Sequence, residues 1–259
     1  MFKCRGWVAG AACLGLLAVS EAAWAFGFRV DPSRVEVSLD RGTRRGKTLT
    51  VHNDREESLH IKTYLADVLF LPDGTNNFPP AGSTEWSCAS WVQVVPSELE
   101  IPAKTSQNIR VSVIAPPDAQ GGHYAMLFFE TVAPPAKQGI GINFRIGAFV
   151  ETTISGTEEY AMKLSDMAVT PPATLTIKLF NEGNVLVRPE GKLKILTEAG
   201  EKLREQDFNP NHVGVLPKTL RSFVISLKEP LQAGRYLLRT EIDYGARTLL
   251  VGEHPFTIS

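Results

Sequence analysis

The sequence predicts an all-β protein built from two β-sandwich domains in tandem. Apolar residues alternate with polar ones along most of the chain, and sustained helical periodicity is hard to find. Turn residues separate these segments at the spacing typical of a sandwich. The 259 residues, 43% of them hydrophobic, supply enough core for two ordinary domains and exclude wholesale disorder.

Charge and the N-terminus narrow the class of protein further. A formal net charge of −1 offers no basic excess for nucleic acid. Lys3 and Arg5 precede the apolar run Gly6–Val19, and Ala23-Trp24-Ala25 forms a small-x-small end. This pattern predicts a secretory signal peptide over residues 1–25, cleaved after Ala25. A retained membrane anchor is the alternative, but the apolar run is short of the roughly 20 residues that span a bilayer.

Cysteine usage agrees with a domain that is held together by packing. Cys4 and Cys13 fall in the predicted leader, and a lipoprotein site at Cys13 is disfavoured because Gly10-Ala11-Ala12 lacks a large aliphatic residue. Cys88 then stands alone, so no intramolecular disulfide is expected. We interpret Cys88 as a small buried hydrophobe, with a reactive thiol as the minor alternative.

The first predicted domain covers residues 26–155. Pro72-Asp73-Gly74 ends a long extended segment, and the Asn-, Pro- and Gly-rich segment Asn76–Ser83 is expected to be a loop. Its other strands are predicted from alternation and turn residues. The strands are Arg34–Leu39, Thr48–His52, Leu59–Phe70, Trp91–Val95, Glu98–Ile101, Asn108–Ile114 and Tyr124–Val132.

The segment Ile140–Ile154 carries the most regular alternation in the chain. Seven apolar residues share one parity, which Thr152 alone interrupts, and this predicts one long strand with an apolar face. The apolar positions are Ile140, Ile142, Phe144, Ile146, Ala148, Val150 and Ile154. Alternation alone does not distinguish a strand that covers its own core from one that also contributes to a partner.

The second predicted domain covers residues 156–259, because Gly156-Thr157-Glu158-Glu159 breaks the pattern. Its predicted strands are Ala161–Val169, Thr174–Phe180, Lys192–Thr197, Arg221–Leu227, Arg235–Tyr244 and Arg247–Ile258. The two halves also echo each other. Ile101-Pro102-Ala103-Lys104 leads to Gly122 and Tyr124, as Leu216-Pro217-Lys218 leads to Gly234 and Tyr236, and Asn53 and Asn181 each follow an early strand. The sequence therefore predicts two immunoglobulin-like (Ig-like) modules.

No catalytic, cofactor-binding or metal-ligating motif emerges from the residues. The five His form no zinc spacing, and there is no GxSxG, Walker loop or dinucleotide fingerprint. Asp54, Glu56 and Glu57 could bind calcium, but a solvated hairpin tip is the favoured interpretation. We therefore expect a protein that is not an enzyme and needs no cofactor, with a hydrolase or metal-binding protein as the least supported alternative.

Five short motifs follow one another in a recognisable order. They are Val35-Glu36-Val37, Leu49-Thr50-Val51-His52-Asn53, Val95-Pro96 with Leu99-Glu100-Ile101-Pro102, Ile109-Arg110-Val111 and Gly122-His123-Tyr124. This order resembles the N-terminal domain of the PapD-like periplasmic pilus chaperones over residues 28–155. Residues 156–259 are more loosely similar to Ig-like companion domains of bacterial surface-assembly proteins.

The resemblance implies a binding edge and a periplasmic location. In that family, an exposed strand donates alternating hydrophobic residues to an incomplete pilus subunit, and Ile140, Ile142, Phe144 and Ile146 match the donor pattern. Two basic residues anchor the subunit's C-terminal carboxylate, and Arg34 fits the first. The Lys expected late in the donor strand is missing here, since the segment reads Phe149-Val150-Glu151-Thr152-Thr153. The resemblance thus implies a chaperone-like relative whose usual carboxylate anchor is incomplete.

Two hypotheses of function follow. The first is a periplasmic chaperone or accessory protein whose partners are pilus or surface subunits, bound along the strand edge. It leaves open whether an outer-membrane usher takes part, and it needs no nucleic acid and no membrane span in the mature chain. The second is a structural or adhesive sandwich protein that remains in a cell-surface complex.

Overall fold

The computed structural model describes residues 27–132, 143–170, 174–227 and 229–258. The predicted leader, residues 1–25, lies outside these ranges. Strands dominate the described residues, joined by one short 3-10 turn at Ala89–Trp91. None of the helical structure in these ranges is long and apolar enough to cross a membrane.

The first sandwich is built from eleven described strands. They are β1 (Phe28–Asp31), β2 (Arg34–Leu39), β3 (Arg44–Asn53), β4 (Leu59–Ala66), β5 (Leu69–Phe70), β6 (Asn76–Asn77), β7 (Val92–Val95), β8 (Glu98–Ile101), β9 (Ser106–Ile114), β10 (Gly122–Thr131) and β11 (Arg145–Ile154). One sheet has the order β1-β3-β9-β7 and the other β2-β11-β10-β4-β8, with β5 and β6 as a separate hairpin. Their inner faces enclose a core that includes Val35, Leu49, Ile61, Val111 and Val150, all fully buried. Cys88 also lies in this core, as predicted.

The predicted limits match the structure at both ends for β2 and β8, each of which has one buried face. Other strands are longer than predicted, as β3 and β9 are at their N-terminal ends. The prediction of one strand over Leu59–Phe70 is wrong, because the observed strand β4 ends at Ala66 and the next strand, β5, begins at Leu69. Asp67 lies at the break, and its buried carboxylate accepts hydrogen bonds from the Gly82 and Thr84 backbone N–H groups and from the Ser87 hydroxyl. The segment Asn76–Ser83 is mostly the predicted loop, although Asn76–Asn77 forms the short strand β6.

The second sandwich contains seven described strands. They are β12 (Met162–Thr170), β13 (Thr174–Asn181), β14 (Glu190–Thr197), β15 (Lys202–Phe208), β16 (Leu220–Ser226), β17 (Gly234–Asp243) and β18 (Leu250–Ile258). Its sheets have the orders β12-β13-β16 and β15-β14-β17-β18. No sheet of the described residues mixes strands from before and after Gly156. On that basis we propose residues 26–155 and 156–259 as the domain limits.

A buried asparagine stabilises the same corner in both sandwiches. The Asn53 amide donates to the Ile101 and Pro102 carbonyls, and its oxygen accepts from the Arg55 N–H. In the second sandwich, the Asn181 amide donates to the Val185 and Val215 carbonyls, and its oxygen accepts from the Gly183 N–H. Lys104 and Lys218 follow with positive φ angles of 57° and 56°. The similarity between the two halves of the sequence therefore corresponds to a repeated set of hydrogen bonds between an asparagine side chain and the backbone.

Candidate functional site

The edge of β11 is covered along only part of its length. On one side, β11 pairs antiparallel with β10 from Arg145 to Thr153. On the other side, β2 pairs with it in parallel only from Phe149 to Ile154, beginning where the Phe149 N–H donates to the Ser33 carbonyl. Within the described part of the chain, Arg145–Ala148 therefore face no strand on that second side. We call this part of β11, Arg145–Ala148, the open edge.

The side chains of β11 alternate as the sequence predicts. Ala148, Val150 and Ile154 are buried in the core of the first sandwich. Phe144 and Ile146 continue the same face and pack, partly buried, at the margin of that core. Ile140 and Ile142 lie outside the described residues, and so does the start of the predicted Ile140–Ile154 strand, whose described part begins at Arg145.

The outer face of the same sheet is aromatic near the open edge. The Arg145 guanidinium lies 4.3 Å from the centroid of the Phe128 ring and donates to the Tyr64 hydroxyl at 3.0 Å. Gly147 leaves room for Met126, whose Sδ would be 2.7 Å from a Cβ at this position. The open edge thus has an apolar inner face and an aromatic outer face.

Arg34 lies where the covering strand begins. It is the first residue of β2 and is level with Phe149 of β11, with its Cζ 5.9 Å from the Phe149 ring centroid. Its side chain is 46% exposed and makes an ion pair with Glu36 at 3.2 Å. The structure therefore puts this predicted site residue at the end of the open edge, with its charge already paired.

Glu151 occupies the outer face of β11 just beyond Arg34 and Phe149. Its carboxylate accepts two hydrogen bonds from Arg188 of the second sandwich, one of them 3.1 Å long. The exposed fractions of the Arg188 and Glu151 side chains are only 25% and 12%. Burial opposes the Arg188 charge, but the hydrogen bond and charge of Glu151 outweigh it and raise the Arg188 pKa. The late part of β11 therefore carries Glu151, a carboxylate that is already paired with Arg188.

A second contact between the sandwiches lies beside this ion pair. The Tyr124 ring stacks on Phe149 at 5.9 Å and an interplanar angle of 3°. The Tyr124 hydroxyl accepts a hydrogen bond from the buried Leu186 N–H. A third contact joins the Ser222 N–H to the Pro72 carbonyl at 2.9 Å. The second sandwich therefore contacts the first at β10, at β11 and at the turn between β5 and β6.

Sequence reasoning missed Tyr124, Glu151 and Arg188 as members of this site. One signal was present, since Gly122-x-Tyr124 and Gly234-x-Tyr236 are the same motif. The Tyr236 hydroxyl donates to the Gln232 carbonyl within its own sandwich, whereas Tyr124 reaches across to Leu186. The two copies of the motif have therefore taken different structural roles.

The acidic hairpin tip has its own cations. Asp54 pairs with Arg29 at 2.9 Å, and Glu56 pairs with Lys104 at 2.9 Å. In the described ranges, no group of three or more His, Cys, Asp or Glu residues could hold a metal ion.

The fold is that of the two-domain Ig-like chaperones of fimbrial assembly. The chain is similar to the class 5 fimbriae chaperone CfaA, with a TM-score of 0.53, 14% identity, and coverage of 87% of this chain and 98% of CfaA. A chain of a chaperone–tip adhesin complex of CFA/I fimbriae is similar at a TM-score of 0.52 and 16% identity, with coverage of 87% and 97%. No protein-family profile and no curated protein sequence matches the chain.

Proposed function

We propose that this chain is a non-enzymatic periplasmic chaperone that assists the assembly of pilus or surface subunits. It would bind an extended or incomplete β partner along the open edge of β11. The observation that carries the proposal is the half-covered edge: among the described strands, none pairs with Arg145–Ala148 on the side opposite β10, next to apolar side chains on the inner face.

The backbone of β11 supports this mode of binding. The Phe149 N–H points away from β10 to Ser33, while the Phe144 carbonyl points toward β10 and accepts from the Thr131 N–H. Because successive residues of a strand alternate in this direction, Arg145 and Gly147 direct their N–H and C=O groups to the open side. A partner strand can pair with these groups, while alternate side chains supply selectivity.

The proposed contact residues are Ile140, Ile142, Phe144 and Ile146, which would fill apolar pockets of the partner. Burial of such side chains stabilises a complex by about 25 cal/mol per Å² of apolar surface removed from water. Arg34 lies at the end of this row, where the partner strand would meet the start of β2. We propose it as a charged contact for the end of that strand.

The experiment is co-purification of this chain with a pilus or surface subunit that is expressed together with it in the periplasm. Replacement of Ile142 and Phe144 with Asp should abolish subunit capture, because two carboxylates would enter apolar pockets. Thr153→Asp is the matched control, since Thr153 lies on the outer face of the same strand where β2 covers it. Circular dichroism would verify that each variant is folded.

Undiminished capture by the folded double variant would disprove binding through this edge.

Mild extraction of cells separates the two hypotheses of function. A chaperone carries immature subunits and is absent from the finished surface structure, whereas a structural or adhesive component remains in the assembled particle.

A further inference from the structure

The first sandwich has a second half-covered edge, on β3. The chain crosses from one sheet to the other between Asp31 and Arg34, so β1 covers part of β3 and β2 covers part of β11. β1 pairs only with Thr50–Asn53 of β3. In the described part of the chain, Arg44–Leu49 pair with β9 on one side and with no strand on the other.

The two half-covered edges have opposite chemistry on their inner faces. On β11 the inner face near the open part carries Phe144 and Ile146. On β3 the corresponding positions are Arg45 and Lys47, which are both exposed.

Arg45 and Lys47 lie on the face of β3 that points toward the core. Arg45 is level with Val113 and Lys47 is level with Val111, and both valines are fully buried. Residues level with each other on neighbouring strands share a face of the sheet. Farther along β3, on the same face, Leu49 and Val51 are fully buried. The inner face of β3 thus changes from apolar to cationic where the cover of β1 ends.

Strand addition along Arg44–Leu49 would place a backbone beside these side chains and remove them from water. The ion pairs of the first sandwich, within the described ranges, use other cations, so neither Arg45 nor Lys47 has a carboxylate partner. Burial of an unpaired charge is strongly unfavourable. Charged residues that point inward are one of the ways in which exposed edges are protected from pairing.

We infer that Arg45 and Lys47 are specificity residues that close the β3 edge to strand addition. They leave β11 as the one of these two edges that accepts an extended β partner. The choice of β11 rests on the proposed function, whereas the closure of β3 concerns this chain alone and can be tested without a partner.

The test is the self-association of Arg45→Val/Lys47→Val, measured by sedimentation of the purified exported chain. Valine favours strands, so the variant is expected to fold and to sediment at about twice the parent's mass or more, as an edge-to-edge pair. Hydrogen exchange should show amides of Arg44–Leu49 becoming protected in the associated form. The conservative variant Arg45→Lys/Lys47→Arg should sediment like the parent.

Arg110→Val is the matched control. Arg110 is also an exposed cation of the same sheet, but it lies on β9, which pairs with β3 on one side and β7 on the other. Sedimentation of the double variant at the parent's mass would overturn the inference, and so would equal association of Arg110→Val. If association fails while β11 still captures subunits, the closure of β3 is wrong and the proposed function stands.

Discussion

Arg188 in the second sandwich holds Glu151 on β11 through a two-pronged ion pair between side chains 37 residues apart. Glu151 follows Phe149 on the outer face of the strand, and the Phe149 ring stacks on Tyr124. The strand that carries the open edge is therefore fixed from its outer face by the second sandwich. The ion pair is thus a direct contact between β11 and the second sandwich.

Arg188→Met should lower the free energy of unfolding by about 2 kcal/mol, because it leaves the Glu151 carboxylate partly buried without its cation. Chemical denaturation measures the change. Lys194→Met is the control, since Lys194 pairs with Glu241 at similar exposure, 25% and 27%, within the second sandwich. Subunit capture should fall with Arg188→Met and remain with Lys194→Met. Equal capture by the two variants would contradict a role for this pair in holding the edge.

Asn53→Ala should destabilise the first sandwich by about 3 kcal/mol, because it deprives several buried backbone groups of their partner. Asn108→Ala provides a measure of an exposed asparagine, since its side chain accepts one hydrogen bond from Thr50 on the surface. That change should cost less than about 0.5 kcal/mol. Asn181→Ala should reproduce the large effect in the second sandwich. A small effect at either buried asparagine, measured by urea denaturation, would show that these corners do not limit stability.

The Cys88 thiol should resist alkylation in the folded protein, because burial raises its pKa from 9.0 to about 12. Iodoacetamide at about pH 8 should label it only after unfolding, as mass spectrometry would show. Its neutral form contributes stability that is fully present below pH 9.0 and is lost as the pH rises toward about 12, since the unfolded thiol ionises first. Cys88→Ala should therefore lose stability less steeply in this range. Rapid labelling of the folded chain would contradict the buried assignment.

Core strands could be predicted because burial of one face imposes alternation, as in β2 and β8. The strand β15 could not, since Lys202–Phe208 carries charged residues on both parities and is largely exposed. Its place in the sheet depends on β14, with cross-strand contacts such as the Lys192–Asp207 ion pair at 2.5 Å. Such pairing is a property of the folded sheet and leaves no local pattern.

The inner half of the candidate site follows from alternation, which put Phe144 and Ile146 on the core face. The outer half does not. No local pattern links Glu151 to Arg188 or Tyr124 to Leu186, because the two sandwiches must fold and meet before these groups are neighbours. The sequence does reveal that this strand lacks the late Lys that the resemblance to pilus chaperones implies. It does not reveal that Glu151, found in this part of the strand, is already paired with Arg188.

The segment Phe28–Leu39 determines how much of β3 and how much of β11 has a neighbouring strand on that side. Because one continuous stretch of chain supplies both β1 and β2, the position at which it crosses between the sheets divides a fixed length between two neighbours. A crossing two residues later would lengthen the accessible part of β11 and shorten that of β3 by the same amount. If the proposed function holds, the position of Ser33 sets the length of partner strand that β11 would accept. Ser33 is far along the sequence from the residues that would touch the partner.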